Sequence, residues 1–182
     1  MIFKRREKMK SSLGLSALIG LTLSFPAFGG GNPEFVKFPE NYTEIFSQYG
    51  TANRANQTQL AKFYANKIAV DSYKKGEEAA PGSVVVMEIY IPKKDAEGKI
   101  QSGEDGLFVI DKLAAVGVME KRSDWDGTFK AEDRSGNWGF ALYEPNGKVK
   151  DNDLNCAQCH NPLQKQDNLF SFQKLVDYVK NH

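Results

Sequence analysis

The sequence predicts an α+β fold, an antiparallel β-sheet with flanking helices. Three observations lead there. Apolar residues recur at helical spacing near the start of the chain and again at its end. Between them lie runs of β-branched and aromatic residues, Val84 to Ile91 and Asn137 to Tyr143 above all. Gly- and Pro-containing turns separate those runs, and the resulting order of helices, several strands and a closing helix belongs to α+β architecture.

The chain opens on an address. Lys4, Arg5, Arg6, Lys8 and Lys10 form a basic start, Ser11 to Phe28 an apolar run, and Ala27-Phe28-Gly29 a small-residue cleavage site. Pro26 breaks the run, which is also short for the roughly 20 residues of a membrane span. Residues 1–29 are therefore expected to be a cleaved signal peptide, and a periplasmic location follows. Gly30, Gly31, Asn32 and Pro33 begin an expected flexible leader, 30–37, ahead of one domain over 38–182.

Pro39-Glu40-Asn41 reads as a helix start, with Tyr42, Ile45, Phe46 and Tyr49 at helical spacing as far as Gly50. Thr51 to Gln59 is polar and reads as a loop. Leu60, Tyr64 and Ile68, with Ala61 and Ala65, recur every four residues and predict a second helix, closed by Lys74, Lys75 and Gly76. After the Pro81-Gly82-Ser83 turn the period changes to two. Val85, Met87, Ile89 and Ile91 make one wholly apolar strand face, expected to be buried, opposite Val84, Val86, Glu88 and Tyr90. Lys93 to Gly106 is a charged hairpin or loop, and Leu107 to Met119 a strand pair or one long bent strand. Trp125 to Arg134 is a turn-rich connection, and Asn137 to Tyr143 a strand closed by Pro145-Asn146-Gly147. Leu169, Phe172, Leu175, Val176 and Val179 build an amphipathic terminal helix.

Chemistry concentrates at Cys156-Ala157-Gln158-Cys159-His160, the C-x-x-C-H pattern of covalent c-type haem attachment. Two thiols at this spacing reach the two vinyl groups on one edge of a porphyrin, and the following imidazole is directed at the iron. A structural zinc site needs four ligands, usually two such cysteine pairs, whereas His182 is the only other histidine. A thioredoxin-like motif calls for no histidine there. One haem c is thus expected, bound through Cys156 and Cys159 with His160 as iron ligand, on a helical segment near the C-terminus. Both cysteines are then committed, which leaves none for a structural disulfide. The signal holds five of the 24 Lys+Arg and one of the 23 Asp+Glu, leaving 19 against 22, a net charge of −3. Without a clustered basic excess, nucleic-acid binding is not indicated.

Most of the chain after the signal resembles the cytochrome P-460 family and its relatives, the cytochromes c′-beta. The resemblance runs through F-P-E-N-Y (Phe38 to Tyr42), S-Y-K-K-G (Ser72 to Gly76), P-G-S-V-V-V-M-E (Pro81 to Glu88) and G-N-W-G-F-A-L-Y (Gly136 to Tyr143) to the late C-A-Q-C-H. It implies an antiparallel-sheet haem protein, a homodimer, with a five-coordinate haem and an open distal site. It also implies a small gaseous or nitrogenous ligand, nitric oxide or hydroxylamine. Members that oxidise hydroxylamine carry a lysine cross-linked to the haem, and Met87 stands at the matching position here. A thioether cannot form that amine link, which puts hydroxylamine oxidation in doubt and favours nitric oxide binding.

Each singled-out residue also has a plain reading. Met87 suits core packing or a distal wall, and either Met87 or Met119 could complete a six-coordinate haem in an electron-transfer cytochrome. Phe108 could cap the distal face. Glu88 and Asp111 are candidate distal proton donors, with a solvated carboxylate as the alternative for each. Trp138, Phe140 and Tyr143 are expected in the sheet core, and His182 in solvent.

Overall fold

The computed structural model describes residues 31–125, 127 and 129–182, so the expected signal peptide lies outside it. Five strands form a single meander in chain order: β1 (Ser47–Asn53), β2 (Leu60–Ala65), β3 (Val84–Pro92), β4 (Ile110–Lys121) and β5 (Trp138–Tyr143). Every neighbouring pair is antiparallel. Four α-helices accompany them: α1 (Tyr42–Ile45), α2 (Lys67–Lys74), α3 (Cys156–His160) and α4 (Phe172–Asn181). The architecture is α+β, as the sequence predicts.

The two helices expected before residue 76 are shorter than the periodicity suggests. α1 ends after one turn, where Phe46 is extended, and Tyr49 lies in β1. A register shift between Gln48 and Gly50 sets Tyr49 into the β1–β2 ladder as a bulge, so a residue at helical spacing is buried by a strand. The run from Leu60 to Ala65 is β2 and only Lys67–Lys74 is helical. The reason is arithmetic: a spacing of four satisfies the strand period of two as well as the helical 3.6. Asn66 makes the switch. Its side-chain oxygen accepts from Ala69 N at 3.0 Å, capping α2, and from Val84 N at 3.1 Å, tying the helix start to β3. The expected stop is in place, with Gly76 at φ 74°.

The middle of the chain follows the reading. Residues 93–106 form a bridged loop, the run expected over Leu107 to Met119 becomes one long strand, β4, from Ile110, and a short 3-10 turn, Ala131–Asp133, interrupts the connection to β5. Side chains alternate across the meander, so register assigns them to two faces. On the first lie Ala65, Val85, Met119, Trp138 and Phe140, covered by α2, α3 and α4 through Val70, Ala157 and Leu175, and by Leu169 in the segment leading into α4. On the second lie Tyr64, Val86, Val116, Val118, Ala141 and Tyr143.

Two expectations fail on that second face, for one reason. The segment 30–37 is no flexible leader from residue 32 on. Asn32 N–H donates to the Phe140 carbonyl at 2.6 Å, Phe35 stacks on Phe129 and Val36 is 0% exposed. With this segment and α1 laid over the sheet, the second face of β3 is covered, and Glu88 is buried rather than solvated. Its carboxylate accepts from Tyr42 and Tyr64 at 2.9 Å and from Tyr90 at 2.8 Å. Three hydroxyl donors supply the partners that a buried anion requires.

Gly139 on β5 marks the closest approach of this covering layer. A Cβ there would stand 2.7 Å from Trp125 Cη2 and 2.8 Å from Phe129 Cε1 and Val36 Cγ2. Gly139→Ala is expected to cost about 1–3 kcal/mol through overpacking, read as a lowered urea midpoint at unchanged slope.

Burial first, and the bond to Glu88 second, push Tyr42, Tyr64 and Tyr90 above the ordinary phenol range; burial raises Tyr143 to about 12. A folded value above the unfolded one, near 10, means that the stability held by these groups is complete below about pH 10. It declines as pH rises from there toward the folded values. Tyrosinate absorbance from these four residues should therefore appear together with the loss of near-ultraviolet circular dichroism, in one alkaline transition; ionisation well before unfolding would contradict the burial.

Candidate haem site

α3 is built from the C-A-Q-C-H motif itself. Asn155 caps it, its side-chain oxygen accepting from Gln158 N at 2.9 Å. The helix is pinned at its second residue, because Ala157 is 2% exposed and its carbonyl accepts from the buried Ser135 hydroxyl at 2.9 Å. Positions 156, 159 and 160 stand three and four apart, which places Cys156, Cys159 and His160 together on one side of the helix. Both thiols are free; Cys156 is half-buried and Cys159 exposed. Burial, then the adjacent Cys159, push the Cys156 thiol upward.

His160 is held on three sides. Its ring lies 4.8 Å from that of Phe140 on β5 and 4.9 Å from that of Phe170. Its Nδ1 is 2.6 Å from the backbone carbonyl oxygen of Asn168. A carbonyl cannot donate, so Nδ1 carries the proton and, in the neutral ring, Nε2 keeps its lone pair. Burial lowers the pKa of the imidazole, opposed in part by the bond to Asn168, so the neutral form is favoured.

The carbonyl comes from a chain reversal that the sequence reading missed. After the Pro-containing 3-10 segment Asn161–Gln166, both Asp167 and Asn168 take left-handed conformations, at φ 47° and 57°. Asp167 is 4% exposed. Its Oδ1 accepts from Lys121 Nζ at 2.6 Å and Trp138 Nε1 at 3.1 Å, and its Oδ2 from Tyr73 OH at 2.8 Å and Ala79 N at 2.9 Å. The one local signal was the Asp-Asn pair itself, two residue types that tolerate this backbone region.

Beside Phe140, the covering helices leave part of the first sheet face half-open. Register continues that face through Phe63, Met87, Gly117 and Leu142, all half-buried, and the buried Ala61, Ile89 and Ala115. A Cβ on Gly117 would meet Met87 Cε at 3.6 Å and Leu142 Cδ1 at 3.9 Å, so these three residues line one spot. None of the seven carries an imidazole, amine or carboxylate. Met87 therefore lies on the face that Phe140 shares with His160, whereas Met119 packs into the closed cluster with Val85 and Phe140. Glu88 points to the face opposite Met87 and is buried there, so it is not solvated. Asp111 is exposed, and Phe108 is half-buried where its N–H meets Asn53 Oδ1 at 2.9 Å. His182 is exposed and stacks on Tyr178 at 4.3 Å. Trp138, Phe140 and Tyr143 are in the core, the first two on the His160 side and Tyr143 on the other.

A family model, Cytochrome P460, matches residues 39–171, most of the described chain. The chain belongs to the cytochrome P460 family. The search of curated proteins returned no match. The family is one of haem proteins, and the residues present fit a haem. Two unpaired thiols and an imidazole with a free Nε2 share one side of α3, on the sheet face whose half-buried apolar strip runs through Phe63, Met87, Gly117 and Leu142. Among the described residues, no group of three or more His, Cys, Asp or Glu is placed to hold a bare metal ion.

Proposed function

We propose that this cytochrome P460 family member is a periplasmic c-type haem protein that binds a small nitrogen-oxide ligand, nitric oxide foremost, at an open distal position. Cys156 and Cys159 would hold the porphyrin through thioethers and His160 Nε2 would ligate the iron, with export directed by residues 1–29. A bound haem would supply an iron able to take up a small ligand. The chain's own residues orient the imidazole, through Asn168 and Phe140, and keep the surroundings apolar, through Phe63, Met87 and Leu142. The observation that carries this reading is the pairing of a carbonyl-bonded, Nε2-free His160 with an apolar strip on the same sheet face. An apolar wall suits a small uncharged gas and offers hydroxylamine no base among its seven residues. The protein is further proposed to act as a homodimer, which the family resemblance suggests.

Attachment is tested directly. In the Cys156→Ala, Cys159→Ala double variant, haem should be lost on denaturation and acid–acetone extraction, while the parent keeps it. Haem that stays bound in the double variant would sink the thioether assignment.

Met87 sits on the relevant face, which keeps a six-coordinate electron-transfer cytochrome as the second reading. If Met87 only lines the pocket, the ferrous parent should be five-coordinate and high-spin. Met87→Leu, nearly volume-conserving, should then cost under about 1.5 kcal/mol and keep nitric oxide binding. A low-spin parent that turns high-spin in Met87→Leu would establish methionine ligation and overturn the open-site reading. Optical spectra of the reduced proteins with and without nitric oxide distinguish the two.

A further inference from the structure

We propose that Asp167 is a positioning residue for the haem ligand, acting on His160 through the carbonyl of Asn168. The inference rests on His160 being the proximal ligand. Its physical content is that the strength of the Nδ1–H bond, and with it the electron donation from Nε2, is fixed by a clamp outside the motif.

Three features of the geometry converge on this role. The accepting carbonyl belongs to the second of two successive left-handed, non-glycine residues, a backbone arrangement that persists only when its surroundings hold it. The holding groups are the four donors on Asp167, and all come from outside the reversal. Tyr73 belongs to α2, Ala79 to the α2–β3 connection, Lys121 to the end of β4 and Trp138 to the start of β5. The Asp167–Asn168 peptide is therefore referenced to the sheet and α2. His160 is referenced to the same β5, through its packing on Phe140 and the Ser135–Ala157 bond that precedes the strand. Carbonyl and imidazole are thus fixed against one frame, and a 2.6 Å separation results.

Lys121 makes the clamp directional. Its ammonium lies 2.6 Å from Asp167 and 3.6 Å from Glu78, with its charge 5.6 Å from the Trp138 ring centroid. Asp167→Asn keeps the size of the side chain but replaces two strong charge-assisted acceptors with one amide oxygen. The reversal then loses part of its tether, and the Asn168 carbonyl loosens from Nδ1 while the haem and its thioethers stay in place.

The test is the iron–histidine stretching band in resonance Raman spectra of the ferrous holoprotein, for the parent, Asp167→Asn, Tyr73→Phe and Glu88→Gln. Asp167→Asn should move the band to lower frequency. Glu88→Gln disrupts a comparable buried carboxylate on the opposite sheet face, so it should lower the melting temperature and leave the band in place. A folded Asp167→Asn holoprotein with the parental band would overturn the inference, and so would an equal shift in Glu88→Gln, which would reduce the effect to general loosening. If Asp167→Asn does not fold, Tyr73→Phe decides, since it removes one donor without touching charge: a downward shift supports the clamp and an unmoved band refutes it. A parent protein without any iron–histidine band would instead overturn the five-coordinate, His160-ligated haem on which the inference rests, either because His160 does not ligate or because a sixth ligand holds the iron low-spin, and the optical spectrum of the reduced protein separates the two. That failure is distinct from a present but insensitive band.

Discussion

The Asp167 carboxylate is the point at which the separate parts of the structure meet. Burying an anion and the Lys121 ammonium together is costly, and such a pair alone does not guarantee net stability. Here the carboxylate also accepts from an indole, a phenol and a backbone N–H, so its lone pairs are used rather than stranded. The same four contacts join α2, the connection behind it, β4 and β5 to the segment leading into α4. Fold closure and presentation of His160 therefore depend on one set of bonds. A change there alters both.

The two sheet faces divide the remaining work. The second is closed by the N-terminal segment and α1, with Phe35 on Phe129 and a tyrosine-lined Glu88 in its interior. The first is only partly covered, since Met87, Gly117 and Leu142 remain half-buried there. A half-buried apolar strip left without cover is a feature that a small domain ordinarily closes. It is accounted for if a porphyrin supplies the missing cover, as membership of a haem-protein family leads one to expect.

Among the described residues no helix is long and apolar enough to cross a membrane. The sheet edges are also partly guarded. Lys174 of α4 packs against Gly50 of β1, and the stretch around Gly31 and Asn32 meets β5 at Phe140. The meander accordingly buries most of its hydrogen-bonding potential within one short-range topology, in which each strand pairs with its sequence neighbour. Such local pairing carries a small loop-closure cost.

Several features were legible in the sequence because their chemistry is local. The C-x-x-C-H spacing, the glycine stops at Gly76 and Gly147, the β-branched run of β3 and the amphipathic period of α4 all depend on residues a few positions apart. The sequence alone also implied the α+β class and the family, since both follow from the order of such segments. What it left open were features whose deciding partner is remote. A four-residue spacing at Leu60 to Ala65 fits helix and strand alike, and only pairing with Tyr90 to Val85 of β3 made it a strand. Glu88 read as solvated until a segment some fifty residues earlier covered its face. Asp167 and Asn168 gave almost no signal, because their roles come from Tyr73, Lys121 and Trp138, dispersed along the chain. Buried polar groups must find partners wherever the fold brings them, and that requirement is written in three dimensions rather than in spacing.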